Sequence, residues 1–154
     1  MSDNEQAPWQ RAISRHLTAT ADNGDNGIAL LMPEYRPDIC RGIAAGAGFE
    51  FFDFRREIMD PRKMSAHETT LAELDAQLEE KSRTGGLLAF NVESLLAIKP
   101  DRPTWLQRFA HHHWPNPILL PLTLFHADLP ETAACIDLRN YDFPPQSFIS
   151  RLAM

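Results

Sequence analysis

A chain of 154 residues with 44% hydrophobic and 23% charged residues has the size of one domain and an ordinary globular composition, which excludes a wholly disordered protein. Its formal net charge of −6 repels polyanions at long range and argues against nonspecific nucleic-acid binding. The apolar runs Ile28–Met32, Leu87–Phe90 and Ile118–Leu122 fall far short of the ~20 residues that span a bilayer, so no membrane partner is expected.

The opening Met1-Ser2-Asp3-Asn4-Glu5 has neither the basic start nor the apolar run of a secretory signal. Cys40 and Cys135 form no CxxC pair, and reduced thiols in a cytoplasm are the simplest expectation. Residues 1–7 are polar and predict a frayed end. Pro8 suits a first helical position, and Trp9, Ile13 and Leu17 recur every fourth residue behind it, which predicts an amphipathic helix over Pro8–Ala21. The run Asp22–Gly27 stops it; it lacks the ligand alternation and distal Glu of a calcium loop.

Ile28–Met32 predicts a first strand covered on both faces, followed by the loop Pro33–Asp38 and a helix from Ile39 to about Ala47 with Gly48 as its C-cap. Phe49–Phe54 predicts a second strand, and Arg55–Lys63 a charged connection. Ser65 with Glu68 has capping-box spacing, and Leu71, Leu74 and Leu78 share a face of the helix expected to run to about Arg83. Leu87–Asn91 predicts a third strand, Pro103–Trp114 a helix, Ile118–Leu122 a fourth strand that ends or bulges at Pro121, and Cys135–Leu138 a short fifth. The aromatic tail Asn140–Met154 is expected to pack on the body. Strands alternating with helices, without repeat or linker, predict a single three-layer α/β domain around a mostly parallel sheet.

This succession over Ile28–Leu122 resembles P-loop NTPase-fold domains, and in length and spacing it is similar to the small P-loop proteins of BREX-type phage-defence operons. The resemblance implies five strands in the order 2-3-1-4-5 and a link to phage defence or mobile elements. A phosphate-binding P-loop reads GxxxxGK[ST]. The corresponding Met32-Pro33-Glu34-Tyr35-Arg36-Pro37-Asp38-Ile39 has no glycine or lysine, two prolines that remove donors, and two acids that repel phosphate. The third strand ends in Asn91 where such folds place a magnesium-supporting Asp, with Glu93 as the nearest substitute. A degenerate, nucleotide-free member of such a fold is the expectation.

Arg36, Arg55, Arg56, Asn91 and Glu93 are the candidate anion-binding residues, because they follow strands whose carboxyl ends are where open α/β sheets bind ligands. With Arg62 and Lys63 they are interleaved with Glu34, Asp38, Glu57 and Asp60, so a self-paired surface is the competing reading. His111-His112-His113 cannot converge on one ion while helical and suits a helix C-terminus, so no metal is expected. Ser94 lies in no nucleophile elbow, Cys40 reads as a small core residue, and nothing fixes Asp53 and Glu57 as a carboxylate pair, so no catalytic residue and no cofactor are assigned. Trp9, Trp105, Trp114 and Tyr141 read as core before binding surface. The expectation is a non-catalytic interaction or accessory protein that binds a protein partner or itself; an atypical ATPase or a small-anion-binding regulator is the alternative.

Overall fold

The computed structural model describes residues 8–20, 26–143 and 145. Its elements run α1 (Pro8–Thr20), β1 (Gly27–Leu31), α2 (Pro37–Ala47), β2 (Glu50–Asp53), a π-helical turn (Arg55–Met59), α3 (Leu71–Lys81), β3 (Leu87–Phe90), α4 (Glu93–Leu96), α5 (Arg102–His111), β4 (Ile118–Leu122), a 3-10 turn (His126–Asp128) and β5 (Cys135–Asp137). The expected end of α1 at Ala21, most of the Asp22–Gly27 turn, residues 1–7 and most of the tail beyond Phe143 lie outside the described residues.

Several boundaries differ from expectation, among them the end of the helix expected over Pro103–Trp114, which stops at His111, and two helix starts differ for local reasons. Helix α2 begins at Pro37, whose missing N–H costs nothing in a first turn, and ends at Gly48, whose φ of 73° forms the left-handed cap. Ser65 and Glu68 do exchange capping bonds, Ser65 Oγ accepting from Glu68 N–H and Glu68 Oε1 from Ser65 N–H, but they close only a turn. Helix α3 starts after Thr70, whose side chain accepts from Glu73 N–H at 3.1 Å.

All five strands are parallel, in the order β2-β3-β4-β1-β5. This corrects the expected order 2-3-1-4-5: β4, not β1, stands next to β3, with Ile118 and Leu119 opposite Leu87 and Leu88. β1 instead pairs with β4 on one side and β5 on the other. Strands β1, β3 and β4 are all continuous apolar runs, and any of them satisfies an interior slot.

Alternate strand residues divide the core between two faces. Ile28, Leu30, Leu88, Phe90 and Leu119 pack with Trp9, Ile13, Ile39 and Ile43 of α1 and α2. Ala29, Leu31, Phe52, Leu87, Ala89 and Leu120 pack with Leu74, Leu78, Leu95, Trp105 and Phe109 of α3, α4 and α5. Gly27 lies on that second side, where a Cβ would overlap the carbonyl oxygen of Phe109. Of the tail, Phe143 meets Trp9 edge-on, with ring centroids 5.5 Å apart.

Pro121 shapes the carboxyl end of the sheet. Ile118 N–H donates to Asn26 O on the β1 side, and Leu87 N–H donates to Pro117 O on the β3 side. The strand period of two therefore turns residues 117, 119 and 121 toward β3. Pro121 has no N–H to offer there, and β3–β4 pairing stops at the Leu88–Leu119 pair while β4 continues beside β1 to Leu122. In Pro121→Ala the new amide should extend that ladder and exchange about a hundredfold more slowly than an open one. Exchange at the open-chain rate would show that something else separates the strands.

Candidate functional site

The loop after β1, the ends of β3 and β4, and α4 line a half-open cavity of about 270 Å³ at the carboxyl edge of the sheet. Of the five candidate residues, Arg36, Asn91 and Glu93 line it; Arg55 and Arg56 stand exposed on the π-helical turn, outside its lining.

Arg36 is held by its neighbours in sequence. Its side chain is only 7% exposed. Nε and Nη2 donate to the two Asp38 oxygens at 3.0 and 2.8 Å, and Nη1 donates to Glu34 Oε1 at 3.1 Å. The Arg36 guanidinium holds the Asp38 carboxyl below the usual carboxylate range, and the backbone N–H of Ile39 adds to that effect. Asp38 thus serves the first turn of α2 as well as the guanidinium. The self-paired reading of this part of the basic cluster holds.

Asn91 sits at φ 62°, a left-handed conformation that Asn tolerates better than most residues. Its Nδ2 donates to Asp53 Oδ1 at 2.9 Å, and its Oδ1 accepts from the Tyr35 hydroxyl at 3.0 Å. Arg56 N–H also donates to Asp53 Oδ1, at 3.1 Å, while the Glu57 carboxylate accepts from Asp53 N–H at 2.9 Å. The ends of β2 and β3 and the loop after β1 are joined in one polar chain. Asp53 and Glu57 meet through backbone, not as facing carboxyl groups.

Glu93 opens α4 and reaches across to the loop after β4. Its Oε1 accepts from Thr123 N–H and Oγ1, both at 2.8 Å, and its Oε2 from Leu124 and Phe125 N–H at 2.6 and 2.9 Å. Three successive backbone N–H groups thus surround one carboxylate, an arrangement that suits anions in general. The carboxylate comes from within the chain.

The remaining lining is mostly apolar: Met32, Cys40, Phe90, Ala97 and Pro121 form the walls. Cys40 is buried in the first turns of α2, and burial pushes its thiol up to about 12, so it stays protonated and un-nucleophilic at neutral pH. Ser94 Oγ donates to Asn91 O at 3.3 Å. At the far end of α5, His111 contacts Thr132 Oγ1 and His112 the Glu79 carboxylate.

Sequence reasoning missed the rim. The exposed large hydrophobic residues among those described are Tyr35 at 61%, Leu124 at 70% and Ile98 at 38%. Tyr35 and Leu124 line the cavity, and Ile98 follows Ala97, which also lines it. Trp9, Trp105 and Trp114 are core, as expected. The only forewarning of the rim was apolar residues in segments without helical or strand periodicity.

Asp38 has a folded-state pKa below its unfolded value, so its contribution is present above about pH 4 and is lost as pH falls through the folded value. Asp38→Asn should therefore be less stable than the parent by about 2 kcal/mol at pH 7, a gap that closes in acid. Parallel urea titrations across pH check this; a pH-independent gap would show that the ion pair is not its origin. Glu93→Gln should cost about 2 kcal/mol and shift the amide resonances of Thr123, Leu124 and Phe125. Unmoved resonances would mean that the loop holds itself.

No protein-family model, curated protein or solved structure matches this chain, so its function is read from this geometry.

Proposed function

We propose that this chain is a non-catalytic interaction or accessory protein that recognises a protein partner through the crevice at the carboxyl ends of β1, β3 and β4. Its scaffold is read as a degenerate P-loop NTPase-like fold, and its likeness in element order to the small P-loop proteins of phage-defence operons belongs to the same proposal. The position of β4 between β3 and β1 is where the sheet departs from the order that likeness implied.

The observation that carries the reading is the state of charge in the crevice. Arg36 is the cation of its lining, and it is buried between Glu34 and Asp38. A triphosphate needs free N–H groups and uncompensated positive charge where the chain turns from strand into helix. Here Pro37 removes a donor, Asp38 occupies the first turn, and Glu93 fills the cradle after β4. The exposed apolar pair Tyr35 and Leu124 at the same mouth supports recognition by contact.

Thermal unfolding with and without ATP and magnesium tests this. The midpoint should stay within about 1 °C at millimolar nucleotide. A rise of several degrees, or measurable hydrolysis, would overturn the reading, and loss of that rise in Arg55→Ala/Arg56→Ala would assign it to the exposed arginines.

A further inference from the structure

We infer that the crevice is an anchor pocket for one uncharged aromatic side chain presented by a partner polypeptide. This rests on the accessory reading and names what the partner must offer.

Size sets the first condition. A cavity of roughly 150 Å³ lined by apolar side chains accommodates benzene; one of about 270 Å³ has room for a bicyclic ring. Met32, Phe90 and Pro121 supply apolar wall, and the Tyr35 and Phe90 rings lie 5.3 Å apart at a tilt of 35°, an aromatic surface on which another ring can pack.

Charge sets the second. The polar side chains in the lining already have partners within the chain: Arg36 with Glu34, Tyr35 with Asn91, and Glu93 with Thr123. An occupant therefore meets few unsatisfied groups, and an anion would meet the Glu34 and Glu93 carboxylates. The occupant is apolar and uncharged.

The rim sets the third. A small molecule inside the chamber leaves Leu124 and Tyr35 facing water, whereas a polypeptide that inserts one side chain lays its neighbours over them. That is the usual anatomy of an interface, a buried anchor ringed by weaker contacts. A second copy of this chain fits poorly as the donor: Trp9, Trp105 and Trp114 are buried, and among the described residues the exposed large hydrophobics are those of the rim itself.

The test uses the full chain labelled with [methyl-13C]methionine. Met32 lines the cavity, and Met59 lies in the core on the opposite face of the sheet as an internal control. N-acetyltryptophanamide should shift the Met32 methyl saturably at millimolar concentration and leave Met59 in place. Indole-3-acetate, the same ring with a carboxylate, should bind about tenfold more weakly. Ala97→Phe, or Ser94→Leu should the first variant fail to fold, fills the chamber and should abolish the shift. Acetyl-Ala-Ala-Trp-Ala-Ala-amide should bind about tenfold more tightly than the single residue analogue, a gain lost in Leu124→Ser.

A Met32 methyl indifferent to the aromatic amide overturns the proposal, as does equal affinity for the acetate. A pentapeptide no tighter than the amide also overturns it, in favour of a small molecule. All three outcomes differ from a thermal shift with ATP, which would instead remove the accessory reading beneath it.

Discussion

The missing N–H of Pro121 governs the end of the sheet at which the crevice lies. β4 is central, and a central strand normally shares its backbone with both neighbours. Here it keeps the partnership with β1 through Leu122 and gives up the one with β3 after Leu119. The two strands are then free to part at their carboxyl ends, and Phe90, Asn91, Pro121 and Thr123 become walls of one space. Proline in a central strand is ordinarily a defect. At the edge where parallel sheets present their ligand sites, it makes room.

Two internal ion and hydrogen-bond systems decide what that room can hold. Arg36 is paired with residues two positions to either side, Glu34 and Asp38, whose carboxylates offset its charge. Glu93 does the converse from α4, using a carboxylate to satisfy the backbone of the 123–125 loop. Each device holds a loop in place and gives a charged lining residue its partner from within the chain. The Tyr35–Asn91–Asp53 chain extends the same economy to β2. A site so arranged differs from those that work on phosphate, where positive charge and free donors are kept in hand.

Much of the fold was legible because its signals are local. The apolar runs of β1, β3 and β4, the cap at Gly48 and the stripe through Leu74 and Leu78 each follow from neighbours within a few residues. The start of α3 was misplaced because Ser65 and Glu68 form a real box around a mere turn, while Thr70 and Glu73, with the same spacing, head the helix. Strand order was not legible, since interior strands of like composition exchange places without penalty in any one-dimensional pattern. Arg36, Asn91 and Glu93 were recognisable as residues after strands, but the contact of Glu93 with Thr123 joins positions 30 apart that no spacing rule connects. Tyr35 and Leu124 gave no periodic signal at all.

The two outer strands carry a last consequence. β2 has four residues, with Glu50 and Asp53 among them, and β5 only three, with Asp137 tied to Arg139 at 2.7 Å. Such brief, charged borders offer little template for another chain to add itself as a further strand. Growth by sheet extension, the common route to filaments and aggregates, is discouraged at both sides.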